Sequence, residues 1–231
     1  MKKLTTLLAG IALAAGANAA TVTVTDSFGL ATTNWTHMLG AQQFNGALGT
    51  LNSATFSFTD DIVQTIKAEN TGASADTLTP TAAAQFLFRK SLATLLTTNL
   101  SQTGLGFNAT AFDGNIDFAG NSGKDFGNIA VNGTGTITLT GGALAALIGT
   151  GTLGSVGFDV FASGGTPGFG GFVTSGNGNL VASIATQARY NLSLTYDFTP
   201  RANQVPEPGS MALFGVALAG LGFLRRKANK A

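Results

Sequence analysis

The chain has 231 residues and a formal net charge of +1, and charged residues make up only 10% of it. At about 100–200 residues per domain, this length fits one domain together with targeting segments. The 32 glycines have no collagen-like period and 44% of residues are hydrophobic, which excludes collagen and charge-rich disorder. Without cysteine and with a single histidine, the sequence excludes disulfide frameworks, thiolate nucleophiles and most histidine-based metal or acid–base sites.

The N-terminal segment has the order of charged, apolar and small residues that marks a secretory signal peptide. Two lysines at positions 2 and 3 precede an apolar run at 4–15, and small residues follow up to Ala19. We therefore predict a signal peptide at 1–19, cleavage before Ala20, and export of the chain.

A second targeting pattern follows the central region. An uncharged apolar segment at 209–224 comes after Val205-Pro206-Glu207-Pro208 and before Arg225-Arg226-Lys227. Its 16 residues would span about 24 Å as a helix, slightly less than the roughly 30 Å hydrocarbon core, which predicts a short transmembrane helix. The two prolines keep Glu207 in an extended, exposed linker at 201–208. The basic tail at 225–231 predicts a cytoplasmic C-terminal end, with the preceding domain outside.

Together, these three parts resemble the PEP-CTERM sorting signal of exported proteins in Gram-negative bacteria that make extracellular polysaccharide. The resemblance implies an exosortase, a membrane transpeptidase-like enzyme, as processing partner, and cleavage near the Pro-Glu-Pro motif. It further implies an inner-membrane-anchored precursor that later reaches the cell surface or the extracellular matrix. The recognition residues that it implies, none of them catalytic, are Pro206, Glu207, Pro208, Arg225 and Arg226.

The region between the targeting segments is mildly acidic. It carries six basic and ten acidic residues between positions 20 and 204, for a net charge of −4. Nucleic acids and anionic lipid surfaces require clustered Lys and Arg. We therefore exclude nucleic acid as a partner of this domain.

Strict two-residue alternation in this region predicts β-strands. Tyr190 to Phe198 alternates apolar and polar residues over nine positions. Shorter segments with the same period are separated by Gly- and Asn-rich turns, and they include Val22 and Val24; Phe56 and Phe58; Ile62 to Lys67; Gln85 to Arg89; Ile137 and Leu139; and Val156 to Val160. The pattern predicts an all-β fold, an antiparallel β-sandwich ectodomain at 20–200. Helical composition occurs at Gly142 to Ile148, and Leu92 to Leu96 is a second helix candidate.

The domain also resembles a known group over most of its length. The residues that carry the resemblance are 111–120, the segment 144–152 and the alternating terminal strand. They are similar to the choice-of-anchor E domain, whose members share an ectodomain but attach by different C-terminal signals. The resemblance implies no catalytic residues, because the group has no established activity.

One acidic pattern has the spacing of a calcium loop. Asp113, Asn115 and Asp117 occupy positions 1, 3 and 5 of a D-x-N-x-D motif, but position 12 is Lys124 instead of a glutamate. The apolar residues between them favour a different interpretation, a strand with the three polar side chains on its outward face. Calcium binding by the three residues is the alternative.

Other catalytic or binding sites have weaker support. His37 with Asp26 and a nearby serine could form a nucleophilic site, and a carboxylate pair could hydrolyse glycosides. Trp35 could stack on a sugar, although a lone tryptophan in a β-domain more often belongs to the core. We predict a structural or interaction protein without catalysis or cofactor, and a carbohydrate- or calcium-binding module of the polysaccharide matrix is the alternative.

Overall fold

The fold is known from a computed structural model, which describes residues 19–164 and 170–201. Ten strands make up most of this part of the chain. Their bounds are β1 Ala20–Thr32, β2 Trp35–Met38, β3 Gly49–Asn70, β4 Asp76–Lys90, β5 Ala93–Gln102, β6 Phe107–Ala109, β7 Gly123–Thr140, β8 Phe158–Ser163, β9 Phe172–Thr174 and β10 Leu180–Pro200. The prediction of an all-β fold is confirmed.

The strands form two antiparallel sheets. The first has four strands in the order β1-β10-β3-β7, and the second has the order β2-β8-β4-β5, with β6 and β9 also paired to β4. The longest pairing joins β10 to β3, from Leu180 opposite Asn70 to Pro200 opposite Gly49. A register shift at Asp197/Phe198 is the one irregularity in this pairing. Because consecutive strands mostly pair with strands distant in sequence, the fold depends on long-range contacts.

The core lies between the two sheets and is rich in aromatic rings. Along β10, the inward residues are at most 2% exposed from Tyr190 to Tyr196, while the alternate residues Asn191 and Ser193 face solvent. Across the core, the ring of Phe88 lies 4.8 Å from that of Phe56 and 5.0 Å from that of Phe58. Burying such a side chain contributes about 1.5–3 kcal/mol. The alternation predicted for this strand therefore determines which of its side chains enter the core between the two sheets.

Two helix predictions are wrong in detail. The segment predicted as a helix at Gly142 to Ile148 is a 3₁₀ helix, Gly141–Leu147, which buries Leu144 and Leu147. Those two leucines are three residues apart, and a 3₁₀ helix places such residues on one face. The second candidate, Leu92 to Leu96, is instead a turn followed by β5. Pairing with β4 in the second sheet outweighs the local helical composition there.

Several predictions concern residues outside the described ranges. They are the predictions of the signal peptide up to position 18, of most of the linker, of the transmembrane helix at 209–224 and of the basic tail at 225–231. Within residues 19–164 and 170–201, no helix is long and apolar enough to cross a membrane. The targeting segments therefore remain predictions from the sequence and from the comparison reported below.

Candidate functional site

The calcium-candidate residues lie in an irregular loop between β6 and β7, so the prediction of a strand there is wrong. One carboxylate oxygen of Asp113 accepts a hydrogen bond from the backbone N–H of Asn115, at 2.9 Å. Asp117 accepts one from the N–H of Ala119, also at 2.9 Å. Each aspartate therefore stabilises a tight turn of its own loop, as Asx turns do. These turns break the alternation that a strand would need.

A buried glutamate anchors the same loop to the first sheet, and the sequence analysis did not identify it. Glu69 is 0% exposed near the end of β3, and its Oε2 accepts a hydrogen bond from the N–H of Phe118 at 2.7 Å. Its second carboxylate oxygen has no hydrogen-bond partner among the described residues. A Cβ atom on Gly123, which pairs with Glu69 across the sheet, would overlap this carboxylate. The feature of the sequence that could have indicated this role is the position of Glu69, an acidic residue that follows the apolar alternation of β3.

The acidic side chains of the described residues do not converge on a shared site. Among residues 19–164 and 170–201, no three Asp, Glu, His or Cys side chains lie close enough together to hold a metal ion. Asp60 and Asp61 lie on opposite faces of β3, as expected for neighbours in a strand. Asp61 forms an ion pair with Arg189 at 3.0 Å, whereas Asp60 is buried in the core. Calcium binding by Asp113, Asn115 and Asp117 stays a prediction.

The single histidine lies in a hydrogen-bonded chain that joins the two sheets. The hydroxyl of Tyr190 donates to Asp26 at 3.0 Å, and Nδ1 of His37 lies 2.8 Å from that hydroxyl oxygen. Because tyrosine has one hydroxyl proton, the Nδ1–H of His37 must be the donor to Tyr190 when Tyr190 donates to Asp26. Asp26 also accepts a hydrogen bond from the N–H of Gly40, at 2.9 Å.

These hydrogen bonds connect β1 and β10 of one sheet to β2 of the other. Burial raises the pKa of Tyr190 far above its ordinary value, and the nearby carboxylate of Asp26 raises it further, so the phenol stays neutral. The structure therefore brings His37 and Asp26 together, but through a tyrosine. No serine hydroxyl forms a hydrogen bond with His37 or Asp26 in the described part of the chain.

Trp35 is packed against the core. Its ring lies 4.6 Å from the ring of Phe28 and 6.1 Å from that of Tyr190, measured between centroids. Its indole nitrogen is buried and has no partner among the described residues. These contacts occupy the ring, so it is not the free aromatic platform that sugar stacking requires.

Comparisons with known proteins give little information about the domain. No curated protein matches the chain. Two solved structures of infectious bursal disease virus, from the Gt and Gx strains, are each 12% identical to it, with a TM-score of 0.13. The alignments cover 89% and 87% of this chain and 48% of each viral chain, so the chain spans about half the length of the viral proteins. At so low a TM-score, the similarity supports no conclusion about fold or function.

The C-terminal region does match a family model. Residues 204–227 match the PEP-CTERM protein-sorting motif, which includes all five recognition residues predicted from the sequence. These residues, Pro206, Glu207, Pro208, Arg225 and Arg226, lie outside the described ranges. The motif implies processing by exosortase, a membrane enzyme, and membrane anchoring before that step. The chain is therefore an exported protein that carries a PEP-CTERM sorting signal in residues 204–227.

Proposed function

We propose that the protein is a non-catalytic structural or interaction protein, which an exosortase-like enzyme releases to the cell surface or the polysaccharide matrix. The observation that carries this proposal is the sorting motif at 204–227. In the precursor, the apolar segment 209–224 holds the chain in the inner membrane, and the basic residues after it stay on the cytoplasmic side. Glu207 then lies just outside the membrane, between two prolines that keep it extended and accessible to the enzyme.

A structural role agrees with the chemistry of the described domain. Its single histidine forms a hydrogen bond with Tyr190 in the hydrogen-bonded chain that joins the two sheets, and many of its aromatic side chains fill the core. Nucleophilic catalysis needs an accessible base beside the nucleophile. The proposal assigns that histidine to stability instead of catalysis.

The sorting step can be tested in a native host by removing the acidic recognition residue. Glu207→Gln keeps the size of the side chain but removes its charge, and we expect this variant to accumulate in the membrane fraction. The control is Lys230→Gln, which also removes one charge but lies beyond the matched motif. The proposal is contradicted if Glu207→Gln distributes between membrane, surface and medium like the unchanged protein.

A carbohydrate- or calcium-binding module is the second candidate. The calcium alternative is favoured by the position of Asp113, Asn115 and Asp117, which lie in one loop with exposed side chains. Calcium bound to the folded protein would raise its melting temperature, because the free energy of unfolding increases by RT ln(1 + [Ca²⁺]/Kd). We would measure thermal unfolding with and without millimolar calcium for the natural protein and Asp117→Asn. An unchanged melting temperature of the natural protein would contradict this candidate.

A further inference from the structure

An open groove of about 470 Å³ lies between β7 and the loop that follows β5. Its floor is the buried Ile129, with Leu105 and Phe126 packed around the same small cluster. Gly104 in the loop wall has open space beside it, since a Cβ atom there would meet nothing within 4 Å. The volume falls within the roughly 300–1,000 Å³ range of small-ligand sites.

A lysine stands at the rim of this groove and is held by two aromatic rings. The Nζ of Lys124 lies 5.4 Å from the ring centre of Phe107 and 5.3 Å from that of Phe126, within the range of cation–π interactions. In the described part of the chain, no acidic group forms an ion pair with Lys124. Its neighbour Asp125 binds Lys67 instead, at 2.9 Å. The groove therefore offers a positioned positive charge in a domain of net negative charge.

The second wall of the groove is an irregular sheet edge. Among the described strands, β7 has one sheet neighbour, β3, and its residues Asn128, Ile129 and Ala130 line the groove. Edge strands leave every second pair of backbone N–H and C=O groups unpaired. The register of β7 shifts next to these residues, and Gly127 has a φ of 70°. Such a bulge interrupts the regular ladder that an added peptide strand would need, whereas sugar hydroxyls need only separate donors and acceptors.

We propose that this groove binds a segment of an acidic polysaccharide. Lys124 holds the carboxylate of a sugar acid, and Leu105 and Ile129 contact the apolar C–H face of the sugar ring. The amide of Gln102, which also lines the groove, hydrogen bonds to ring hydroxyls. This inference deepens the proposed function, on which it rests for the presence of a polysaccharide matrix, by naming the charge class of the polymer.

The test is a calorimetric titration of the full-length protein in mild detergent with a galacturonate hexasaccharide. A neutral cello-hexasaccharide and a glutamate hexapeptide are the comparison ligands. We expect saturable binding of the acidic sugar, at least about tenfold weaker binding of the other two, and a loss of affinity with added salt because the charges are exposed. The absence of saturable binding, or equal binding of the neutral sugar or the peptide, would overturn the proposal.

Two lysine variants locate the site. Lys124→Gln should weaken binding of the galacturonate by about tenfold, since it removes a charge-assisted hydrogen bond. The matched control is Lys90→Gln, because Lys90 also lies over a ring, 5.8 Å from the centre of Phe158, but is not part of the groove. Equal losses in both variants, or no loss in Lys124→Gln, would overturn the proposal.

An NMR titration of the natural protein locates the site independently of the stability of any variant. The methyl signals of Leu105 and Ile129 should shift with the galacturonate, and unchanged signals during saturable binding would overturn the groove assignment. These binding measurements do not depend on sorting. A protein that is processed normally but binds no acidic sugar therefore overturns the groove proposal alone.

Discussion

Replacing Asp60 with asparagine removes a carboxyl group whose ionisation opposes folding. Asp60 lies on β3 and is 1% exposed, and its Oδ1 has no hydrogen-bond partner among the described residues. Apolar side chains surround it on both sheets, namely Phe58, Phe86, Phe88, Leu96 and Val160. Burial raises the pKa of Asp60 from 3.8 to about 6; the Thr98 hydroxyl opposes this rise and the Asp61 charge adds to it.

The rise of about two pKa units corresponds to about 3 kcal/mol, at 1.36 kcal/mol per unit. Below the unfolded-state pKa of 3.8, both states hold the proton and Asp60 has no effect on pH-dependent stability. As the pH rises from there through about 6, the unfolded state releases its proton more readily, so the free energy of unfolding falls. Asp60→Asn cannot ionise, and its advantage over the natural protein should grow across this window by up to about 3 kcal/mol.

Urea unfolding at about pH 4 and about pH 8 measures this difference for both proteins. Asp61→Asn is the control, because it makes the same chemical change on the outer face of β3. It should lose up to about 1 kcal/mol, the contribution of an exposed ion pair such as that with Arg189. If the stability difference between Asp60→Asn and the natural protein is the same at both pH values, the assignment of a raised pKa is wrong.

Three further predictions follow from single contacts. Gly123→Ala should lower the free energy of unfolding, measured with urea, by about 1–3 kcal/mol, because the new Cβ would overlap the Glu69 carboxylate. The control Gly142→Ala should lower it much less, because a Cβ atom there has free space. Tyr190→Phe removes the hydroxyl that links the two sheets and should cost about 1–3 kcal/mol by the same assay; an unchanged stability would contradict a structural role for that link. Backbone hydrogen bonds lower the pKa of Asp76, whose carboxylate holds a turn. The amides of this turn should lose hydrogen-exchange protection as the pH falls below about 3.8, and in Asp76→Asn they should lack that protection at every pH.

The strand pattern of the sequence predicted the fold class because the sandwich buries one face of each long strand. Tyr190 to Phe198 alternates strictly, and the structure buries the apolar half of it. The long strand β3 appeared in the sequence as two separate segments, before and after Asp60 and Asp61. A carboxyl group in the core interrupts the apolar pattern without ending the strand. The pairings of β3 with β10 and β7 offset the free-energy cost of burying this carboxyl group, and sequence periodicity does not reveal those pairings.

Two local predictions failed because longer-range contacts decided the structure. The alternation around Asp113 and Asp117 indicated a strand, but Glu69 on β3 holds the backbone N–H of Phe118, directly after Asp117, in a loop. Leu92 to Leu96 had helical composition, yet Ser91 and Leu92 adopt positive φ angles in the turn that leads into β5. That turn places β5 beside β4, a pairing whose energy exceeds local helix propensity.

The groove could not be predicted from the sequence for a related reason. Lys124, Gln102 and Leu105 come together only because the loop after β5 meets the edge strand of the other sheet. In the sequence, Lys124 was notable only as the residue that broke the calcium motif. The sorting signal, in contrast, is a local pattern that needs no tertiary structure, and the family comparison at 204–227 supports it.

Intact-mass analysis of the protein from fractionated native cells tests the central claim, exosortase-dependent processing, most directly. The account predicts a mature species in the surface or medium fraction whose mass corresponds to a chain that begins near Ala20 and ends near Pro206 to Pro208. A membrane-bound species that still contains residues 225–231, with no shorter form in any fraction, would contradict it.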